Sequence, residues 1–237
     1  MAPRVFARRG RRTAGPPDGG AFCVGRFGIL GAMFVLTINQ RDSRAAGDRV
    51  DALLRALRHL PAAVPFQRSV GDEAIGVVAD AGTAVDATLA VLRLRRWNVG
   101  LGIGGLDGPL PEEIRHAQGP GPGHARRAVD RARRMGDRVP LAVEGAEPQL
   151  ASEAEAVLRL LGQIVASRTE AEWAVLDLMT PGVRGQQKPV ATELGITAQA
   201  VSKAVLRSQW NEEWACRPAA ARLLDLAAVP GAPGRDR

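Results

Sequence analysis

The sequence predicts an α+β protein: a ferredoxin-like sandwich followed by an all-α helix-turn-helix domain. Two observations lead to this fold class. In the first half, apolar runs and helical stripes alternate as strand, helix, strand, strand, helix, strand, helix, strand, for which a ferredoxin-like sandwich is the simplest closed arrangement. In the second half, apolar residues recur at helical spacing, and a glycine turn separates two short helices.

Each element of the first half has its own signal. Phe34 to Ile38 is a nearly continuous apolar run, which is typical of a central strand buried on both faces. Apolar residues from Val50 to Leu60 recur at helical spacing, so we expect a helix that opens at Asp48. The remaining predicted elements are strands over 66–70, 74–78, 97–103 and 139–143 and helices that begin at Thr83 and Ala125.

Helix starts in the second half are predicted from capping patterns. Residues 151–166 carry the clearest helical stripe of the chain. A Ser or Thr followed three residues later by Glu satisfies two backbone N–H groups at a helix N-terminus, so such pairs indicate where helices begin. The predicted starts are Ser152 with Glu155, Thr169 with Glu172, and a cap at Asn211.

The chain divides into four predicted segments. Residues 1–32 are rich in Arg, Gly and Pro without periodicity, and we expect a disordered basic tail. We hypothesise that translation starts at Met33, directly before the first strand, which would make this tail a mis-assigned start. Residues 33–147 form the predicted α+β domain, 148–228 the helical domain, and 229–237 a second disordered tail.

Composition and charge narrow the classes of function. The chain is 46% hydrophobic and 24% charged, as a globular protein is, and no apolar run approaches the length of a bilayer. Cys23 and Cys216 lie far apart without metal-ligand spacing, which predicts free thiols in a reducing, cytoplasmic compartment. The lack of a bilayer-length apolar run predicts no membrane partner. The net charge of +7 is concentrated in residues 1–32, where six arginines stand against one aspartate. Charge alone therefore does not establish nucleic-acid binding.

The segment Gln187 to Leu206 has the pattern of a helix-turn-helix. Ala191 is small where the two helices must approach closely, and Gly195 stands at the turn, where glycine adopts a left-handed backbone at least cost. Thr197 is placed to cap the second helix. The apolar side chains expected to lock the two helices together are Val190, Leu194, Ile196, Val201 and Val205.

The second helix of this motif would present polar side chains that suit base edges and phosphates in a DNA major groove. Residues 184–210 carry four basic side chains and one acidic one, enough for a few phosphate contacts. The alternative is a helical hairpin that only packs against the rest of the protein. The predicted DNA-binding residues are Lys188, Thr197, Gln199, Ser202, Lys203 and Arg207, with Gln199, Ser202 and Lys203 nearest the bases.

Several short motifs in the first half occur in an order that resembles a known family. They are Ser43-Arg44 after the first strand, Gly71-Asp72-Glu73 in a hairpin, the strand Gly100-Leu101-Gly102-Ile103-Gly104, and Gly121-Pro122 followed by Ala125-Arg126. This order is similar to the SatD-like family, whose first half looks like a degenerate nucleotide-cyclase or GGDEF-type domain. A C-terminal helix-turn-helix fits the same family. The resemblance covers about residues 33–225 and implies a cyclase-like first domain.

The resemblance also implies a candidate ligand or metal site. Cyclase relatives hold two metal ions between a strand-1 aspartate and a hairpin aspartate, and these ions grip a nucleoside triphosphate. The hairpin position matches Asp72, followed by Glu73, but the strand-1 position falls on the neutral Asn39. We therefore expect no two-metal cyclase chemistry, and a hairpin turn is the preferred interpretation of Asp72 and Glu73.

Three other features are given structural interpretations. The glycine-rich segment 100–123 lacks the strand–helix setting of a phosphate-binding loop, so it is only a weak indication of a ligand phosphate. The arginines of the helix near 126–134 are interpreted as a solvated face, with an anionic ligand or DNA backbone as the less favoured alternative. No catalytic role is assigned to His59, His116 or His124, which do not cluster with acids or cysteines.

These patterns together lead to a hypothesis of function. We expect a cytoplasmic bacterial transcriptional regulator, in which the helix-turn-helix binds double-stranded DNA and the cyclase-like domain senses a nucleotide-like ligand or forms a homodimer. No catalytic residue and no cofactor is expected. The first alternative is a nucleotide cyclase or nucleotidyl transferase with an altered site, which would need Mg²⁺. The second is a protein-interaction module.

Overall fold

The computed structural model describes residues 33–43, 47–136 and 139–229. The predicted tail 1–32, Arg44, and residues 230–237 of the second tail lie outside the described residues. The fold is α+β, with a five-stranded mixed sheet covered by helices on both faces. Within the described ranges, no helix is both long enough and apolar enough to cross a membrane.

The strands and helices of the first half follow one another in the predicted order. The strands are β1 (Met33–Gln40), β2 (Val64–Arg68), β3 (Glu73–Val78), β4 (Trp97–Gly104) and β5 (Leu141–Glu144). The helices are α1 (Val50–Leu57), α2 (Ala81–Arg93), α3 (Pro120–Arg133), α4 (Pro148–Ser167), α5 (Glu170–Leu176), α6 (Gln187–Leu194), α7 (Ala198–Arg207) and α8 (Trp210–Ala228). A 3₁₀ turn, Ile114–His116, interrupts the long loop before α3.

The sheet is built around β1, and its strand order is β2-β3-β1-β4-β5. All eight residues of β1 are buried, as the apolar run predicts for a central strand. β1 pairs antiparallel with β3 and β4, and β3 pairs antiparallel with β2. β5 is added parallel to β4, after a connection through α3.

The two faces of the sheet are covered by different helices. Alternate residues of β1, such as Phe34 and Ile38, belong to a large core with side chains of α1, α2, α4 and the C-terminal half of α8. On the opposite face, Val35 contacts a smaller cluster that includes Leu106, Ile114 and Ala125. The helix α3 and the loop before it therefore close the second face of the sheet.

Glycines in β4 allow α3 to lie directly on the strand. A Cβ on Gly100 would lie 2.2 Å from the backbone N of Val129, and one on Gly102 would lie 2.2 Å from the backbone N of Ala125. Real Cβ atoms do not approach backbone this closely, so only glycine permits this spacing. The glycine-rich strand, considered in the sequence as a weak indication of a ligand phosphate, is explained by helix packing.

The N-terminus of α4 differs from the prediction. The helix begins at Pro148, so Ser152 lies within it and does not form a capping box with Glu155. The buried carboxylate of Glu155 instead accepts from the backbone N–H of Val143 at 2.9 Å, on the outer edge of β5. It also pairs with Arg131 of α3 at 2.6 Å. Glu155 thus joins α3, α4 and the last strand.

Of the other two helix starts that capping patterns predict in the second half, one is confirmed and one is wrong. Thr169 and Glu172 form the capping box at the start of α5. The final helix, α8, begins at Trp210 after Gln209, whose φ of 50° ends the preceding helix, so Asn211 lies inside α8 and is not its cap.

Apolar side chains of the second half are divided between two cores. Those of α4 and of the C-terminal half of α8 belong to the large core of the sheet. Those of α5, α6, α7 and the start of α8 form a separate cluster. The boundary between residues 147 and 148 remains a prediction, and the structure adds that α4 packs with the sheet-bearing part of the chain.

Candidate functional site

The helices α6 and α7 are joined by a turn that needs glycine. Gly195 has φ of 65° and ψ of 30°, the left-handed conformation that is least strained without a Cβ. The next amide, that of Ile196, donates back to the carbonyl of Ala191 at 3.0 Å. Thr197 then caps α7, because its hydroxyl accepts from the amide of Ala200 at 3.1 Å. The turn and the cap therefore fix where α7 begins.

An apolar cluster holds the inner faces of the two helices. Ala191 of α6 is buried at the crossing, as its small size predicts. Ile196 differs from the prediction, because it is 41% exposed and is not part of the lock. The buried members of the cluster are Val175, Leu176, Val190, Ala191, Val201, Val205 and Trp210, with Leu194 packed against them. α5 thus forms the base on which α6 and α7 rest.

The outer face of α7 carries the side chains predicted to meet DNA. Gln199 and Lys203 lie one turn apart and are exposed, and neither makes a hydrogen bond or ion pair with any described residue. Ser202 is exposed, but its hydroxyl donates to the carbonyl of Ala198 at 3.0 Å. Two side chains of this face are thus available to a partner.

Two other predicted residues flank this face. Lys188 is exposed in the first turn of α6. Arg207 ends α7 and lies 3.6 Å from the carboxylate of Glu172, which is also the capping residue of α5. The backbone N–H of Thr169 lowers the pKa of Glu172, so this carboxylate is charged and attracts Arg207. The exposed Arg207 is therefore held loosely by its own chain.

Two exposed residues near these helices were not among the predicted DNA-binding residues. Leu206 is 72% exposed one turn beyond Lys203, on the same face of α7, although its type suggests a core residue. Arg184 is exposed in the loop before α6, which Gln186 closes with hydrogen bonds of 2.8 Å to both backbone groups of Thr180. The exposed face thus combines polar, basic and apolar side chains.

Two arginines that the sequence did not single out, the buried Arg168 and the partly exposed Arg93, tie these helices to the sheet-bearing part. The side chains of Arg168 and Glu213 are 1% and 0% exposed and form an ion pair at 3.2 Å. Burial lowers the pKa of the Arg168 guanidinium, and the charge of Glu213 opposes this shift. Arg168 also donates to the carbonyl of Ser208, which ends α7, at 2.9 Å. Arg93 of α2 donates two hydrogen bonds of 2.7 Å to Asp177.

The candidate ligand residues Asn39, Asp72 and Glu73 come together at one end of the sheet. Asn39 is 6% exposed, and its amide donates to the Asp72 carboxylate at 2.7 Å. Arg133, at the end of α3, donates to the amide oxygen of Asn39 at 3.1 Å. Burial raises the pKa of the Glu73 carboxyl, while a hydrogen bond from Ser69 and the nearby charge of Arg133 act in the opposite sense.

This polar cluster is held together by the protein's own side chains. Asn39 binds the Asp72 carboxylate, and the guanidinium of Arg133 supplies positive charge beside it. In the described ranges, no group of three His, Cys, Asp or Glu side chains is close enough to hold a metal ion. The arrangement fits a hydrogen-bonded anchor for α3 and the β2–β3 hairpin better than it fits a divalent cation.

The chain was also compared with models of known protein families, with curated proteins and with solved structures, and none of the three comparisons found a match. Function must therefore be inferred from this chain's own side chains and contacts. The exposed face of α7 and the polar cluster around Asn39 are the two sites that the sequence and the geometry bring forward.

Proposed function

We propose that this protein is a bacterial transcriptional regulator that binds double-stranded DNA through a helix-turn-helix formed by α6 and α7. In this proposal, α7 lies in the major groove with Gln199, Ser202 and Lys203 toward the bases. Lys188 and Arg207 lie toward phosphates, and the Arg207–Glu172 contact opens when DNA binds. The protein acts in the cytoplasm. It acts as a homodimer, because one recognition helix reads few base pairs.

The free side chains of Gln199 and Lys203 on a rigid helix carry this proposal. Thr197 caps α7, and Val201 and Val205 bury its inner face, so the helix is held in place before any partner binds. The amide and ammonium groups on the outer face have no partner among the described residues. An amide pairs well with adenine and an ammonium with guanine, which supports reading of bases in the major groove.

For the sheet-bearing part, we propose a ferredoxin-like domain of the SatD-like, cyclase-like type that senses a nucleotide-like ligand or forms the dimer. The order β2-β3-β1-β4 with antiparallel pairing supports this proposal. Helix α1 connects β1 to β2, and helix α2 connects β3 to β4, so the same strand–helix–strand unit occurs twice. In this role the domain needs no cofactor.

The test is selection of bound sequences from random duplex DNA by the full-length protein, followed by fluorescence anisotropy across a salt series. We expect an enriched motif that the variant Gln199→Ala/Lys203→Ala no longer selects. The matched control is Gln163→Ala/Arg222→Ala, which removes one amide and one cation from exposed positions on α4 and α8. Absence of any enriched motif, or equal selection by both variants, would refute reading of DNA by α7.

A nucleotidyl-transferring enzyme is the second candidate, favoured by the proximity of Asp72 and Glu73. It is less well supported because Asn39 supplies no charge and Arg133 donates to its amide oxygen. We expect no cyclic product when the protein is incubated with nucleoside triphosphates and Mg²⁺ or Mn²⁺. A cyclic product that disappears in Asp72→Asn would replace the regulator proposal.

A protein-interaction module is the third candidate, because Leu206 adds exposed apolar area to the face of α7. Failure of the full-length protein to bind any duplex at low salt would favour this candidate over DNA binding.

A further inference from the structure

Two arginines stand directly opposite each other at the end of the sheet where β1 ends and β4 begins. The register pairs Gln40 with Trp97, and one step further the backbone N–H of Arg41 donates to the carbonyl of Arg96 at 2.8 Å. Residues opposite one another across antiparallel strands have Cβ atoms about 4.5–5.5 Å apart, and like charges so placed destabilise the pair. The free protein thus carries two arginines at one cross-strand position.

Neither guanidinium is neutralised by a carboxylate among the described residues. The acids nearby are engaged elsewhere: Asp130 pairs with Arg133, and Asp72 accepts from Asn39. Glu73, on β3 opposite Asn39, is half-buried and accepts a hydrogen bond from Ser69. Asp42, exposed next to Arg41, forms no ion pair in the described structure. No carboxylate in the described ranges therefore relieves the repulsion between the two arginines.

The end of α3 adds further positive charge. If the side-chain alternation of β1 and β4 continues one residue past the strand ends, Arg41 and Arg96 lie on the face that carries Asn39, which Arg133 contacts from α3. Arg134 follows, exposed and without an ion pair in the described structure. Basic residues at a helix C-terminus commonly complement the helix dipole, which accounts for Arg133 and Arg134. That explanation does not extend to Arg41 and Arg96, which flank strands.

The turn between α2 and β4 connects this arginine pair to α5, the helix on which α6 and α7 rest. Arg93 binds Asp177 of α5, and the guanidinium of Arg95 donates to the carbonyl of Arg168. Arg96 is the next residue, so its Cα lies about 3.8 Å from that of Arg95. Arg96 therefore directly follows a turn that contacts α5 and the segment before it.

We infer that Arg41 and Arg96, flanked by Arg134, clamp a backbone phosphate of the DNA that α7 binds. This inference rests on the proposed function. Guanidinium groups form charge-assisted hydrogen bonds with phosphate oxygens, and a phosphate between the two arginines replaces their repulsion with attraction. Such a contact carries no sequence information and extends the DNA footprint from α7 onto the sheet-bearing part.

The test compares full-length Arg41→Gln/Arg96→Gln with Arg55→Gln/Arg58→Gln on one selected duplex across a salt series. Arg55 and Arg58 are exposed near the end of α1 that leads away from this end of the sheet, so the control removes equal charge elsewhere. Each phosphate contact contributes about 0.9 to the slope of log affinity against log salt. Because the clamp holds one phosphate, its variant should lose about 0.9 units of slope and about 8-fold in affinity at 0.1 M salt. Its sequence preference should be unchanged.

Stability separates this effect from unfolding, because removing the like charges should leave the Tm of Arg41→Gln/Arg96→Gln unchanged or slightly higher. Wild-type protein that binds no DNA would refute the proposed function itself. Wild-type binding with the same slope in both variants would refute the clamp alone. A third result would also overturn the clamp. If ATP stabilised the wild type but not Arg41→Gln/Arg96→Gln, and the slope of log DNA affinity against log salt were the same for both proteins, the arginines would bind a small phosphate ligand instead.

Discussion

Replacing Gly102 of β4 by alanine tests whether the glycines of this strand exist for close packing of α3. A Cβ at this position would lie 2.2 Å from the backbone N of Ala125 and 2.4 Å from the carbonyl O of Gly121. Both atoms belong to the backbone of α3, so no change of rotamer relieves the contact. Normal van der Waals separations are about 3.5 Å or more, so α3 must move away from the sheet by roughly 1 Å.

The magnitude follows from what α3 covers. Its buried side chains, including Ala125, Ala128 and Val129, pack on the second face of the sheet, and lifting the helix weakens all of these contacts together. Adding a methylene to a well-packed core typically costs about 1–3 kcal/mol. Because the obstacle here is backbone, we expect Gly102→Ala to lower the free energy of unfolding by about 3 kcal/mol, the upper end of that range.

Gly123→Ala is the matched control on the same helix. A Cβ there meets only the Arg127 guanidinium, at 3.7 Å, so alanine should raise the free energy of unfolding by about 0.5–1 kcal/mol. Urea titration of both full-length variants, followed by far-UV circular dichroism, measures the two changes. A loss below about 1 kcal/mol for Gly102→Ala, or changes of the same sign in both variants, would refute the packing described for α3.

Three further substitutions have defined outcomes. Glu213→Leu should lower the free energy of unfolding, measured by urea titration, by about 3–5 kcal/mol, because it leaves the buried Arg168 without its acid. Adding Arg168→Met should recover most of this loss. A double variant no more stable than the single variant would contradict this expectation. Thr197→Ala should lower the free energy of unfolding by about 1 kcal/mol, seen as a lower Tm, because the hydroxyl that caps α7 is lost. An unchanged Tm would show that the cap is dispensable. Glu73→Gln should stabilise the protein at neutral pH, because burial raises the pKa of this carboxyl in the folded state. Above the raised pKa, the folded state carries the unfavourable buried charge of Glu73. Below the ordinary pKa of glutamate, the carboxyl is protonated in both the folded and the unfolded state. The stability gain of Glu73→Gln should therefore disappear when unfolding is measured at acidic pH.

Local patterns were sufficient to predict the α+β class and the order of strands and helices in the first half. The uninterrupted apolar run of β1 is what a strand with two covered faces requires, and all of its residues are buried. The Thr169–Glu172 pair and the glycine turn at Gly195 are likewise local devices, whose partners lie within a few residues. Such features are predictable because sequence distance and spatial distance coincide.

Long-range polar contacts were not predictable in this way. Glu155 has the spacing of a capping residue after Ser152, yet its carboxylate is used by Val143 and Arg131 on other elements. The buried pair of Arg168 and Glu213 is separated by many residues, and no local pattern indicates that either charge will be buried.

The candidate site shows the same division. The exposure of Gln199 and Lys203 follows from helical spacing, and their contact with DNA remains a prediction. The adjacency of Arg41 and Arg96 needed the strand register, which the sequence does not provide.

The contact between Glu155 and the outer edge of β5 has a consequence for anyone who expresses this protein in pieces. A fragment ending at residue 147 would retain β5 but lose the carboxylate that occupies the N–H of Val143. It would also lose α4, whose Leu158 and Leu161 cover the adjoining apolar surface. An open strand edge beside uncovered apolar surface recruits other strands, so such a fragment should aggregate edge to edge. Because the C-terminal half of α8 belongs to the same core, recombinant pieces of the sheet-bearing part should extend through residue 228, the end of α8.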